Sequence, residues 1–562
     1  MIEFPPGLIL IFGAILVPIL KGYVRLVWTL ILPLFAFLVI LSLPNGNLFS
    51  LNAFGQELQL MRVDQLSRLF SYVFLLASFI GGIYSFHLRD SIEAPASLIY
   101  GGASVGAVFC GDLLSLFVFW EITAIASVFL ILARKTARAR SSAIRYLIIQ
   151  IGSGMLLFAG LTIRWHQTGN IDFGHIGLDS PGGLLIFLAF GIKCAFPLLH
   201  SWLVDAYPEA TVTGTVILSI FTTKLAIYVL ARGFAGTEEL IWIGAIMASF
   251  PIFYAILEND LRRVLSYSLI NQLGFMVVAI GIGTEMALNG AAAHAFTHII
   301  YKALLLMSVG ALLYRTGTSL GSQLGGLFKS MPLTAGFCMI GAASISAFPF
   351  FSGFVSKAII LSAVAHEGYF VTWLVLLFAS AGTLHYVGIK IPYFAFFSSQ
   401  PGIKVKEAPI NMLIAMALAA ALCIFIGVYP SLLYDLLPYP INYVPYTASH
   451  ILSQSLLLLF SASAFIILLR KGIYPKQLNS THLDVDWFYR KPGRDLIRYI
   501  FIMTSSFYNH LGSNLIDRFE RFVYQLYRHH GPHGVLARTW PTGSMVLWVA
   551  VLLVAYLLFY FI

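Results

Sequence analysis

The sequence predicts an all-α polytopic membrane protein, and three observations carry that prediction. Of 562 residues, 59% are hydrophobic and only 10% charged, where soluble domains carry roughly 25% charged residues. Mean hydropathy is +0.86. Apolar runs of about 20 residues, long enough to cross a bilayer as a helix, recur from end to end. The net charge of +10 fits Lys and Arg kept on the cytoplasmic side of a membrane better than it fits a nucleic-acid partner.

About sixteen spans are expected, near 6–20, 26–43, 67–86, 96–110, 113–133, 143–163, 182–204, 210–231, 240–257, 264–283, 288–314, 333–363, 370–394, 409–429, 452–470 and 544–561. Only Gly111 and Asp112 separate the fourth from the fifth. The opening MIEFPPGLIL lacks a basic leader region, so its apolar run is expected to stay as a helix. With the N-terminus outside, the odd-numbered loops hold Lys21, Arg25, Arg89, Arg134, Lys135, Arg138, Arg140, Arg262, Arg263, Arg315, Lys329, Lys404 and Lys406. The intervening loops are poor in base, and 430–450 has Asp435 but no Lys or Arg. This bias predicts both termini outside; the expected location is a bacterial inner (plasma) membrane.

Residues 471–543 form the one long non-spanning segment. Within it, 494–529 interleave aromatics with Arg at helical spacing, which reads as an amphipathic helix lying in the interface or docking on a partner subunit. No nucleic-acid role is read. Cys110, Cys194, Cys338 and Cys423 each stand alone in apolar surroundings, so neither an iron–sulfur cluster nor a zinc site is indicated. No cofactor or nucleotide motif stands out.

Two spans are interrupted. The run FGIKCAFPLLHSWLVDAYPEATVTGTVILSIFTTK (190–224) carries Lys193 four residues before Pro197, and the second apolar helix after it holds Lys224. A lysine at the centre of a membrane helix costs about 3 kcal/mol, and a proline frees a carbonyl that lipid cannot satisfy. Two such features side by side point to a polar cavity inside the bundle. The second interruption, SAFPFFSGF with Pro349 and Gly353, precedes Lys357 about one five-helix unit further on. Paired broken helices in units of odd helix count are the pattern of inverted repeats.

The candidate site gathers the ionisable residues inside the spans: Glu121, Lys193, Lys224, His294, His298, Lys302 and Lys357, with His385 and Lys390 as further members. His294, His298 and Lys302 share one helix face. A carboxylate, amines and imidazoles pass protons when burial and neighbours tune them, and a contact between Glu121 and a lysine that opens and closes switches that lysine's proton affinity. Plainer readings stay open. Glu121 and the lysines beside the broken helices could only join helices, and Lys224 and Lys302 could snorkel from helix ends. The two histidines could be satisfied core residues; metal ligation lacks an evident third ligand. Asp205, Glu209, Glu258 and Asp260 are expected on solvated or salt-bridged helix ends.

Taken together, VDQLSRLF (63–70), FWE (119–121), K-x3-P-x2-H-x-W-L-x2-A (193–206), Lys224, ENDLRRVLSYSLINQLGF (258–275), HAFTHIIYKALLL (294–306), LGGLFKSMP (324–332) and FPFFSGFVSK (348–357) resemble the antiporter-like subunits of respiratory complex I and the Mrp-type multisubunit Na⁺/H⁺ antiporters. The Mrp-type D subunit is the nearer relation. The resemblance covers roughly 63–395 and implies a fourteen-helix core with two inverted five-helix repeats. It also implies a controlling Glu121–Lys193 ion pair, with Lys224, His298 and Lys357 continuing a lateral hydrophilic axis. The segment EATVTGTV after Pro208 departs from the family's proline-containing run, and the tail beyond about 476 lies outside the core.

The expected divisions are N-terminal helices in 1–95, repeats in 96–232 and 240–395, further helices in 409–470, the amphipathic segment 471–543 and a terminal helix in 544–562. The expected function is proton translocation in a multisubunit cation (Na⁺)/H⁺ antiporter, a transporter subunit and not itself an enzyme. Its partners would be H⁺, a monovalent cation, other membrane subunits and the bilayer. The alternatives are a proton-pumping subunit of a respiratory dehydrogenase or membrane-bound hydrogenase, and a non-conducting membrane anchor.

Overall fold

The computed structural model describes residues 4–53, 55–88, 92–398, 402–475, 477–478, 483–530 and 542–561. Arg89 and residues 531–541 of the tail lie outside these. Twelve helices among the described residues are long and apolar enough to cross a membrane, and the chain is a multi-pass membrane protein. It forms two compact units, Met1–His482 and Leu483–Ile562.

The first unit opens with α1 (Pro6–Leu16) and α2 (Gly22–Ser42). A hairpin absent from the sequence reading follows, β1 (Gly46–Ala53) antiparallel to β2 (Gln56–Val63). In β2, Leu58, Met61 and Val63 are buried; a short strand of this kind is easily passed over beside twenty-residue spans. Then come α3 (Gln65–Tyr84), capped reciprocally by Asp64 and Ser67, and α4 (Glu93–Phe109).

Two five-helix sets form the centre of the unit. The first is α5 (Leu113–Leu132) and α6 (Ala137–Thr168), the broken pair α7 (Gly183–Cys194) and α8 (Ser201–Ala206), and α9 (Val212–Ile220) running into α10 (Thr222–Gly233), with α4 leading in. The second is α11 (Glu239–Leu257), α12 (Leu261–Ile282), α13 (Glu285–Thr316), the broken pair α14 (Pro332–Ile345) and α15 (Ser352–His366), and α16 (Phe370–Thr383). The last of these continues as π-helical turns around a short α17 (Lys390–Pro392).

The two sets share detail 148 residues apart. Asp112 caps α5 and Asp260 caps α12. Leu113 N–H bonds Ile171 O at 2.8 Å, and Leu261 N–H bonds Ser319 O at 2.9 Å. The 32-residue helices α6 and α13 both end on a left-handed glycine, Gly169 and Gly317. The breaks match as well, now 152 residues apart: Ala195 and Leu198 in one, and Ala347 and Phe350 in the other, have positive φ. Such conformations are costly for residues with a Cβ and persist only where the surroundings hold them. Gly353 is required at its break, because a Cβ there would lie 1.8 Å from Ser344 O.

The breaks are equivalent, but the lysines are not: Lys193 precedes its break and Lys357 follows its own. A further interruption, at Phe221 between α9 and α10, lies inside the span read as continuous over 210–231. No proline marks it, so the sequence carried no breaker signal.

The unit closes with α18 (Ile410–Val428), α19 (Ser431–Tyr434) and α20 (Ala448–Arg470). The second unit holds α21 (Asp486–Phe488), α22 (Arg494–His530) and α23 (Thr542–Phe561). The 37-residue α22 spans the segment expected to be helical. Leu496, Ile497, Tyr499, Ile500 and Phe501 are exposed on it.

Candidate functional site

Five helices deliver the candidate residues to the interior. Lys193, Lys224, His294, His298 and Lys302 have no solvent exposure, and Lys357 is 1% exposed. That burial removes the snorkelling reading for Lys224 and Lys302. The amines bind oxygens of neutral groups. Lys193 Nζ donates to Trp120 O at 2.7 Å and Thr123 Oγ1 at 3.0 Å, and lies 4.0 Å from the centre of a Trp120 ring. Lys224 Nζ donates to Ser219 O at 2.5 Å, the carbonyl released at the α9–α10 break. Lys302 Nζ donates to Ser268 Oγ at 2.8 Å. Lys357 Nζ donates to Ile345 O at 2.7 Å, the last residue of α14. The helix breaks thus supply acceptors, and two of the four lysines occupy them.

Glu121 lies near Lys193, and the two charges act on one another. Among the described residues they make no ion pair within 4 Å, so the pair implied by family resemblance is open in this structure. Glu121 Oε1 is buried without a protein partner and rests against Gly154, where a Cβ would lie 1.5 Å from it.

The second cluster surrounds α13. The charges of Lys224, Lys302 and Lys357 all act on His298. The ring centroids of His298 and His294 are 6.0 Å apart. His294 Nε2 meets Gln272 Oε1 at 3.2 Å, an acceptor, so this nitrogen carries the proton. His294 Nδ1 then accepts from Ser356 Oγ at 2.9 Å. Gln272 also receives Tyr301 OH at 3.2 Å. Both nitrogens of His298, both amide atoms of Gln150 and Thr223 Oγ1 are buried without protein partners. Buried polar atoms of this kind are normally satisfied by ordered water; His298 lies among Lys224, Lys302 and Lys357, and Thr223 adjoins Lys224 in α10.

Three further groups serve the scaffold. Lys390 Nζ caps α11 through Ala255, Ile256 and Glu258 carbonyls at 3.0, 2.8 and 2.6 Å. His385, on the π-helical turn, stacks on Tyr474 at 5.5 Å. Arg262, read from sequence as a loop charge, is buried and donates to Pro208, Ala210 and Thr211 carbonyls at 2.7, 3.0 and 3.0 Å. Asp205 is held by Arg145 at 2.8 Å and Glu209 by Arg138 at 2.7 Å, the salt-bridged arrangement expected of them. Among the described residues no group of His, Cys, Asp and Glu is arranged to hold a metal.

Sequence reasoning missed Thr123, Gln150, Gly154, Gln272, Ser268 and Ser356. Gln272 carried a signal, as half of an Asn-Gln pair inside an otherwise apolar run. The hydroxyls and Gly154 carried none.

Broken helices in repeat, with amines buried between them, define a polytopic membrane protein of antiporter-like architecture. The chain belongs to the NADH:quinone oxidoreductase/Mrp antiporter transmembrane family, whose description matches residues 110–383. It is 31% identical over 357 residues to the D-type Na(+)/H(+) antiporter component of Alkalihalophilus pseudofirmus, covering 58% of this chain and 71% of that one. It is 28% identical over 424 residues to Hydrogenase-4 component B of Escherichia coli, covering 66% of this chain and 62% of that one. The chain therefore spans about three fifths of the length of the hydrogenase component. In the structure of the Mrp complex from Dietzia sp., a chain superposes with a TM-score of 0.76 at 22% identity, over 98% of this chain and 62% of its own length. The fold is shared.

Proposed function

We propose that this chain is the proton-translocating, D-type subunit of a multisubunit monovalent cation (Na⁺)/H⁺ antiporter, moving H⁺ through Glu121, Lys193, Lys224, His294, His298, Lys302 and Lys357. One observation carries the reading. The four buried lysines are held by carbonyls and hydroxyls instead of carboxylates. Lys390 is likewise held by carbonyls, but these four are set apart by their titratable neighbours, Lys193 by Glu121 and the other three by His298. Carbonyl and hydroxyl oxygens accept from a neutral amine as well as from an ammonium, so each lysine can lose and regain a proton in place.

The first step is closure of Glu121 on Lys193, which favours the charged amine; opening releases the proton towards Lys224 and the α13 cluster. Water between the buried polar atoms would relay it, since no direct hydrogen bond joins the two clusters among the described residues. The repeats take the boundaries 96–232 and 240–395, supported by the 148-residue register. Arg134 and Arg262 both reach Pro208 O, in keeping with basic loops gathered on one face. That face is assigned to the cytoplasm, with both termini outside. Other membrane subunits complete the complex.

The test is to reconstitute the purified complex in vesicles, impose a Na⁺ gradient and follow internal pH with a fluorescent dye. Proton movement opposite to Na⁺ supports the reading. A complex that copurifies with redox subunits and moves protons only with electron transfer replaces it with the second reading, a pumping subunit of a redox complex, which the hydrogenase relative favours.

A further inference from the structure

Tyr146, Gln150, Ser153 and Gly154 recur at helical spacing on one buried face of α6. Three of the four have contacts with α5 or α7. Tyr146 OH and Ser127 Oγ are 2.9 Å apart. Ser153 Oγ accepts from Trp120 Nε1 at 3.1 Å and donates to Ala189 O at 2.7 Å. Gly154 backs the Glu121 carboxylate. Gln150 differs: it has no solvent exposure, and neither amide atom has a protein partner among the described residues. A buried amide in that condition is costly, and an apolar side chain of the same size carries no such cost. The register of the helices places it. α5 and α6 are antiparallel, and the pairs Trp120–Ser153 and Ser127–Tyr146 set Gln150 level with Thr123. Thr123 Oγ1 is one of the two oxygens that hold Lys193 Nζ. α6 and α7 are antiparallel too, with Gly160 against Ile186 and Ser153 on Ala189. One turn back from Ser153 is Gln150, and one turn on from Ala189 is Lys193. Gly154, with Glu121 against it, lies one turn from Gln150 on the other side. The charged groups facing the amide are therefore Glu121 from α5 and Lys193 from α7; on α8, Asp205 is taken by Arg145 at 2.8 Å.

We propose that Gln150 is a positioning residue of the Glu121–Lys193 switch, its amide bridging the two through ordered water while they stand apart. Nε2 donates towards the Glu121 carboxylate and Oε1 accepts from the side of Lys193 Nζ. An amide has a donor end and an acceptor end, so it serves a carboxylate and an ammonium at once. It does not titrate and takes no proton itself. Its work is to keep the open pair aligned for closure. This inference rests on the functional reading above and adds a third member to its first step.

The test measures proton transport by the assembled complex in vesicles across a range of pH, together with its unfolding temperature in detergent. Gln150→Leu removes the amide at nearly constant volume. Because no protein partner is lost, its unfolding temperature should equal or exceed that of wild type. Transport should nevertheless fall at least tenfold at neutral pH. Its pH profile should move about one unit lower, since an ammonium that loses an acceptor gives up its proton more readily. Gln150→Asn, which keeps a shorter amide, should restore part of the rate. Combining Gln150→Leu with Glu121→Gln should cost no more than Glu121→Gln alone, as expected of residues acting through one switch. Should Gln150→Leu fail to assemble, Gln150→Met takes its place in the same assays. A wild-type rate and pH profile for the apolar variant, in a complex whose transport still requires Lys193, would overturn the proposal and leave the functional reading standing. A lowered unfolding temperature with an unmoved pH profile would reduce Gln150 to packing and overturn it as well. Transport that survives Lys193→Ala would overturn both.

Discussion

Replacing Gly154 with alanine tests whether the position of the Glu121 carboxylate controls transport, because it moves that group without removing its charge. The new Cβ would lie 1.5 Å from Glu121 Oε1 and 2.5 Å from its Cδ. Ordinary contact needs roughly 3.5 Å, so the carboxylate must retreat by about 2 Å. The obstacle is the far end of a flexible side chain, and its rotation costs little. Alanine within α6 is favoured over glycine by about 1 kcal/mol, so the helix should not be weakened. Misplacement by about 1 Å can cost a hundredfold in a geometry-dependent step. Gly154→Ala should therefore assemble like wild type and lower proton transport at least tenfold in dye-quench assays on vesicles. Adding Glu121→Gln to it should cause no further loss. A Gly154→Ala rate within twofold of wild type would refute the reasoning, since the carboxylate's place would then be immaterial.

Other outcomes follow from the same geometry. Lys390→Met removes three carbonyl bonds at the end of α11 and should lower the unfolding temperature in detergent, while transport per assembled complex persists; lost transport in a stable complex would place Lys390 on the proton route. Arg262→Met removes a donor from the Pro208, Ala210 and Thr211 carbonyls; Arg134 still reaches Pro208 O and Thr215 still donates to Thr211 O, so Ala210 O is the one stripped, at about 1–3 kcal/mol, and assembly yield should fall on blue-native gels. Burial alone would raise the Asp64 carboxyl, but Arg232 at 2.7 Å and the Ser67 N–H outweigh it and hold it below its ordinary value. Its contribution to stability is present above about pH 3.9 and lost as pH falls through the lowered native value. Asp64→Asn should thus melt earlier than wild type at pH 7, with the difference shrinking below about pH 4; a gap that persists in acid would contradict the ion-pair account.

The spans, the broken helices and the buried amines were legible because each violates or satisfies a strong constraint of the bilayer. Lys193 beside Pro197 and Lys357 beyond Pro349 stand out in apolar runs for that reason. Partners were not legible. Nothing in the run around Lys224 announces the Phe221 break or the carbonyl that the amine caps. Lys193 before its break and Lys357 after its own could be read in sequence, but the matching caps, Asp112 with Asp260 and Gly169 with Gly317, emerge only from the backbone. Arg262 looked like a loop charge because three backbone carbonyls, invisible in sequence, fold around it. The strands at 46–63 were hidden by their brevity. Gly154 shows the limit most plainly: its meaning lies in the side chain of another helix.

The most direct test of the central claim, that buried lysines carry the protons, is proton transport by the reconstituted complex carrying Lys193→Ala, normalised to assembled complex. Transport at the background of protein-free vesicles, with subunit content and unfolding temperature close to wild type, is the predicted result. A wild-type rate from the same assembled complex would contradict the account.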